Sequence, residues 1–155
     1  SIRYFTKQIS SLEFFIKKQA KVDDYQSFML LKSIKGIGDV LAMTILYEIH
    51  TINRFPTVQK FASYCRLIKC KAESAGKIYG TSGNKIGNAH LKWAFSEAAA
   101  LYLRGNEKAQ NYHARLVKKH GNGKAMGILS HKLGRAVYFM LKHQEAFDES
   151  AFLNG

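Results

Sequence analysis

Residues 31–42 read Leu31-Lys32-Ser33-Ile34-Lys35-Gly36-Ile37-Gly38-Asp39-Val40-Leu41-Ala42, with two glycines one residue apart between apolar flanks. That pattern fits a helix-hairpin-helix: an apolar helix, a Gly-x-Gly hairpin, and a second helix that the small Ala42 lets pack close. Glycine suits such a hairpin twice, once for a positive φ and once because a phosphate must approach bare backbone. The amides of Ile37 to Val40 would then sit at a helix N-terminus, where N–H groups and the helix dipole can hold one phosphate. Lys35, Gly36, Ile37 and Gly38 are therefore candidate nucleic-acid contacts, of the kind that position a backbone without reading bases. An ordinary glycine turn between two core helices accounts for the same residues with no ligand.

A second phosphate-handling pattern lies near the C-terminus. Lys124, His131, Arg135 and Lys142 are spaced by 7, 4 and 7 residues, which puts them within about 40° of one another on a helix. Leu129, Leu133, Ala136, Val137 and Met140 centre on the opposite side. The helix thus has one apolar and one basic stripe, and a basic stripe is an electrostatic footprint for a phosphate backbone. A solvated charged face would usually mix signs, yet no carboxylate occurs on this stretch before Glu145.

Between the two, residues 69–88 hold Ser74 and Ser82 among small residues and the lysines Lys71, Lys77 and Lys85. A serine hydroxyl there could meet a phosphodiester, although a polar loop touching backbone explains the composition equally well. No Ser-His-Asp order and no G-x-S-x-G elbow points to acyl transfer. The eleven carboxylates are scattered, most of them where helix ends explain them, and they assemble no two-metal nuclease site. The six histidines form no HExxH and no tight pair. Cys65 and Cys70, spaced C-x4-C, lack the further ligands that zinc needs and read as two reduced thiols.

Elements of the right kind surround these residues. The 155-residue chain fits one domain, or one domain with a helical arm. Its 46% hydrophobic content supports a packed core, and no apolar run approaches the length of a membrane span. A net charge of +13 favours a polyanion as partner. The single proline, Pro56, suits long helices, and the fold class expected is mainly α. Phe5, Ile9, Leu12 and Ile16 give an amphipathic helix over 2–19, so residues 1–20 read as a helical arm and 21–155 as the main domain. Asp23 and Asp24 cap a second helix to about Ser33, and a third covers Val40 to Ile49. A fourth opens at Pro56 or Thr57. Helical period is lost from Leu67 to Gly87, which reads as one long ordered loop, with room for a short hairpin at most. Asn88 then caps a helix to about Arg104. Further helices cover Glu107 to His120 and Lys124 to His143, with a short piece near Asp148 to Phe152.

Taken together, these segments resemble the C-terminal domain of the RuvC-like, serine-using insertion-sequence transposases of the one-hundred-and-ten type. The resemblance covers about Phe28 to Phe152. Its motifs, in order, are Ile34-Lys35-Gly36-Ile37-Gly38, Arg54-Phe55, Phe61-Ala62-Ser63-Tyr64, Glu73-Ser74-Ala75-Gly76, Lys85-Ile86-Gly87-Asn88-Ala89-His90-Leu91-Lys92, and Gly123-Lys124-Ala125 running into His131-Lys132-Leu133. The resemblance implies a serine that attacks a DNA strand, and Ser74 is the matching position, with Ser82 as the alternative. It adds Lys71, Lys77, Lys85, Asn88 and Lys92 to the residues expected to touch nucleic acid. It also implies Mg²⁺ held by four acidic residues of a separate RuvC-like domain, a guide (bridge) RNA as partner besides DNA, a homo-oligomer, and a cytoplasmic, nucleoid-associated bacterial protein. Residues 1–20 would be the end of the connecting coiled coil, and this stretch alone would be inactive. Here Ser-Ala-Gly stands where many relatives have Ser-Gly, Arg66-Leu67 where Gly-Leu is common, and Lys92 where Arg is common. The last change keeps charge but loses bidentate geometry.

Two other functions fit the residues: a stand-alone helix-hairpin-helix binding module without chemistry, and an RNA-binding structural protein of ribosomal type. An upstream acidic segment in the reading frame would favour the transposase over the module. Stable RNA binding without DNA affinity would mark the structural protein.

Overall fold

The computed structural model describes the backbone of residues 2–19, 22–68, 71–74, 77–81 and 87–155, and the side chains of residues 2–10, 25–68 and 87–155. Its elements are α1 (Ile2–Gln19), α2 (Val22–Lys32), α3 (Asp39–Ile49), a 3-10 turn (Ile52–Arg54), α4 (Val58–Tyr64), β1 (Lys71–Ser74), β2 (Lys77–Thr81), α5 (Ala89–Leu103), α6 (Glu107–His120), α7 (Asn122–His143) and α8 (Glu149–Asn154). The fold is mainly α, as expected. Helix starts follow capping chemistry: Thr57, Asn88, Asn106 and Asp148 each accept a hydrogen bond from the backbone N–H three residues on. Gly121, with φ 86°, lets α6 turn directly into α7.

Helix α5 is the centre of the core. Leu91, Ala94, Phe95, Ala98, Ala99 and Tyr102 are all fully buried, and α3, α6 and α7 pack around it. Alanine at three of these positions lets neighbouring helices come close, while Phe95 near the middle of the helix and Tyr102 near its end fill larger spaces. Two aromatic groups complete the core. Phe55, Phe61, Phe95 and Tyr138 meet between α4, α5 and α7, where the Tyr138 hydroxyl donates to the Phe55 carbonyl at 2.9 Å. Tyr102 meets Phe147 and Phe152 edge to face, and Phe152 joins this group from α8.

Helices α2 and α3 are joined by a tight turn at 33–38. Gly36 has φ +97°, and a Cβ there would lie 2.7 Å from the Leu101 carbonyl carbon and 2.8 Å from the Tyr102 nitrogen. The turn therefore rests on the backbone of the last turn of α5. At the opposite end of α3, Glu48 accepts a hydrogen bond from Asn88, the cap of α5. Helices α3 and α5 thus run antiparallel, clamped at both ends.

The stretch expected as a long loop contains a two-stranded antiparallel hairpin. Lys71 pairs with Thr81 and Ser74 with Lys77, with a register shift between Ala72 and Glu73. The run Lys77-Ile78-Tyr79 has the β-branched and aromatic residues that favour a strand. Cys70, Ser82 and Lys85 lie outside the described residues, whereas Cys65 is a buried free thiol that burial pushes well above its usual range. In α1, Ile2, Tyr4, Phe5 and Ile9 are all half or more exposed; the other two apolar positions of that stripe, Leu12 and Ile16, lie outside the described side chains. Among the described residues, no helix is long and apolar enough to cross a membrane.

Gly36→Ala combines a left-handed φ with a collision against rigid backbone. We expect it to lose about 2–4 kcal/mol, a fall in melting temperature on the order of 10 °C by circular dichroism. Gly38, with φ −92° and nothing within 4 Å of where a Cβ would lie, should accept Ala within about 0.5 kcal/mol.

Candidate nucleic-acid interface

The two glycines of the α2–α3 turn have different duties. Gly36 is held against α5, so its missing side chain serves packing, and the neighbouring Ile37 is buried. The Ile37 amide, expected to face a phosphate, donates instead to the Ile34 carbonyl at 3.0 Å. Gly38 is the open one. It starts α3 with no side-chain cap, and the first bond into the helix is Ala42 N–H to Gly38 C=O. The amides of Gly38, Val40 and Leu41 have no protein acceptor among the described residues. Lys32 pairs with the Asp39 carboxylate at 2.7 Å, offsetting the negative charge closest to these amides. Lys35 is exposed, and its Nζ donates to the Gly105 carbonyl just past α5.

The hairpin bearing Ser74 stands on two feet. On one side, the Leu67 amide bonds the Ala62 carbonyl at 2.9 Å, and its side chain fills the space beside Gly134 of α7, where a Cβ would run into it. On the other, Gly87 has φ +105° and presses on the Tyr64 carbonyl, to which the Asn88 amide also donates. Ser74 is the last residue of β1, opposite Lys77. Lys71 begins the same strand. Asn88, expected to touch nucleic acid, has both ends of its carboxamide engaged: Oδ1 accepts from Leu91 N–H at 3.0 Å, and Nδ2 donates to Glu48 at 2.7 Å. It therefore fixes the hairpin's second foot to α3 and α5. One turn along, Lys92 is exposed beside the exposed Trp93.

Along α7, Lys124, Arg135 and Lys142 are exposed, and the apolar stripe opposite is buried except for half-buried Ala136. His131 is half-buried, and burial first, then the charge of Arg135, holds its pKa below the ordinary 6.5. It is neutral at neutral pH and adds no charge to the row. Lys142 lies 5.8 Å from the Tyr138 ring. Charge spacing alone does not single out Phe139, which is 44% exposed between Arg135 and Lys142 on nearly the same sector and offers a face on which a base can stack. A further row, not among the residues expected to bind, lies on α6. Lys108, Arg115 and Lys119, spaced by 7 and 4, repeat the pattern of α7 and are all exposed. By contrast Lys132, adjacent to His131, is engaged: its Nζ donates to the Tyr112 hydroxyl at 3.1 Å and sits over the Phe152 ring. Among the described residues, no group of three or more His, Cys, Asp or Glu side chains could hold a metal ion.

The depressed pKa of His131 has a definite sign in stability. Below pH 6.5 the unfolded imidazole binds a proton that the folded one resists, so stability falls as pH drops through that value. His131→Gln should flatten this part of the pH profile in urea titrations. A variant with the same slope as the parent would show that His131 does not carry it.

No curated protein matches the chain. The model of the Transposase IS116/IS110/IS902 family matches residues 29–114, a stretch that begins in α2, takes in the Gly36 turn, the hairpin and its two feet, and ends within α6. It is more than half of the 155 residues, and the chain belongs to the IS116/IS110/IS902 transposase family.

Proposed function

We propose that this chain is the serine-bearing, DNA-binding part of an insertion-sequence transposase, with Ser74 as the nucleophile in strand cleavage and recombination. The observation that carries this reading is that the family match spans both the Gly36–Gly38 turn and the hairpin that ends β1 on Ser74. The DNA backbone lies along the α7 row of Lys124, Arg135 and Lys142, and one phosphate reaches the open amides after Gly38. The Ser74 hydroxyl attacks phosphorus. Its proton passes to the leaving sugar oxygen, and the phosphodiester is conserved as a phosphoserine link that a second strand end can reverse. Lys71 and Lys77, on the same two strands, offset charge growing on the phosphorus oxygens.

A serine hydroxyl is weak until a base or a metal activates it. The described residues do not fit a metal site; Mg²⁺ on the acidic residues of a RuvC-like domain would supply that activation, so the chain alone is inactive. In this reading the whole protein is a cytoplasmic homo-oligomer guided by a bridge RNA, with the exposed apolar residues of α1 contributing to assembly. In the stand-alone module reading, the same surfaces bind DNA and Ser74 does no chemistry.

Gly38→Ala should leave melting temperature unchanged while weakening DNA binding about tenfold, the worth of a charge-assisted backbone contact. Arg135→Ala with Lys142→Ala should lower the slope of log affinity against log salt by about 2. In the protein joined to its metal domain, Ser74→Ala should abolish the covalent protein–DNA adduct and keep DNA binding. An adduct that survives Ser74→Ala would move the nucleophile elsewhere, with Ser82 next to test.

A further inference from the structure

A cleft that the proposed function leaves unused opens at the end of α7, between α2, the end of α3 and the 3-10 turn. Its volume of about 420 Å³ falls in the ~300–1,000 Å³ range of small-ligand sites. The floor is apolar: Leu46 and Ile49 of α3, Ile52 of the turn and Leu141 of α7. The rim is polar. Gln26, His50, Asn53 and Gln144 stand around it with one lysine, Lys142, and no carboxylate. Among the described residues, the side chains of Gln26, His50 and Asn53 have no hydrogen-bond partner. Gln144 Nε2 donates to the Leu141 carbonyl at 2.8 Å and lies 3.4 Å from Ser27 Oγ. Of the three non-glycine residues with positive φ among the described residues, two border this cleft: His50 at 61° and Gln144 at 54°. Glycine adopts such a φ more easily. Gln144 has a structural use, because its amide ties the end of α7 to α2. The His50 imidazole has only the exposed Tyr47 ring, 6.1 Å away. Backbone strain of this kind gathers where ligands are gripped.

We infer that this cleft receives one unpaired nucleobase, swung out of the DNA strand whose backbone lies along α7. The inference rests on the proposed path of DNA along that helix and adds base recognition at its end. The lining selects the ligand. An apolar floor does not suit an inorganic ion, and one lysine is too little charge for a polyphosphate. Amides, by contrast, pair with the edge of a base through two hydrogen bonds, and the flat ring covers the apolar floor. Lys142 makes the connection to the strand, since it belongs both to the α7 row and to the wall of the cleft. Arg135 and Lys142 are about 10 Å apart along the helix, so a backbone held at both brings its next nucleotide to the cleft mouth. A paired base is held in its stack and cannot enter, whereas an unpaired one costs little to swing out. The phosphate contacts of α7 carry no sequence information; a base in this cleft supplies it.

The test uses the 155-residue chain and a short DNA duplex with one unpaired nucleotide, measured by fluorescence anisotropy over a salt series. Four versions carry each base at the unpaired position, and a fifth carries an abasic residue there. For at least one base the parent should bind about tenfold more tightly than it binds the abasic duplex, the worth of one good base contact. The salt slope should stay the same, because no phosphate contact is added. Gln26→Ala combined with Asn53→Ala removes two exposed amides that bond nothing among the described residues. This variant should abolish the gain and keep parental affinity for the abasic duplex. His50→Gly should lower the gain while the melting temperature holds or rises, because glycine accepts the positive φ. No gain for any base would overturn the inference. So would a gain that both variants keep in full, or one confined to the same duplexes made of RNA. In each of these cases the abasic duplex, with the Arg135→Ala, Lys142→Ala variant, still tests the proposed function. A parent that binds none of the duplexes removes both.

Discussion

Helix α5 can serve as the spine of this domain because three alanines on its buried side let α3 and α7 approach its backbone. The approach of α3 is fixed at two points about a helix length apart. At one, the turn before α3 rests on the Leu101–Tyr102 backbone, a contact only glycine permits at position 36. At the other, the Asn88 carboxamide joins the start of α5 to Glu48 near the end of α3. Neither contact is strong alone: one is the absence of a methyl group, the other a hydrogen bond from a neutral amide to a carboxylate. Together they set the length and register of the α3–α5 pair. The open amides at Gly38 lie just past the first clamp and the hairpin's second foot just past the second.

That arrangement fixes where the hairpin of the proposed nucleophile leaves and re-enters the helical core. An isolated two-stranded hairpin is marginally stable in water. Here its ends leave from Leu67, packed on Gly134, and return at Gly87, packed on the Tyr64 carbonyl. Both feet stand on residues packed against buried helices.

Much of this is legible in the sequence, for reasons particular to each element. The helical periods give the long helices to within a residue or two, because their apolar positions repeat at the helical spacing without interruption. Asn88 is legible as a cap, since capping depends only on Leu91 three residues away. Its bond to Glu48, forty residues distant, is not, and without that bond its carboxamide looks free to touch nucleic acid. The Gly36–Gly38 pair is legible as a tight turn, but the split between a packed and an open glycine depends on α5, which no local pattern reveals. His131 shares the spacing of the α7 cations, yet its burial beside Arg135 leaves it neutral. The hairpin is weakly legible because its strands are short, and its glycine and lysine content resembles a loop. The α6 row repeats the 7 and 4 spacing of α7 and is equally open to reading; a shorter helix with a partly conventional basic end makes it less conspicuous.

The charge of the chain raises a problem that the structure answers by dividing its cations into two classes. A surplus of +13 repels itself in a compact domain. One class is absorbed locally. Arg54 stacks over Phe55 and Tyr64 and donates to the Ile49 carbonyl. Lys132 lies over two rings, Lys35 reaches a carbonyl at the end of α5, and Lys32 pairs with Asp39. These cations stabilise the domain as it stands. The other class, on α6 and α7, is arranged in exposed rows that form no ion pair among the described residues. Interleaved glutamates would have stabilised both helices at little cost, and their absence leaves a field that only an extended anion can satisfy. In the proposed reading, the same field that weakens the free domain favours phosphate backbones, and binding is expected to raise its stability by mass action as the rows are neutralised.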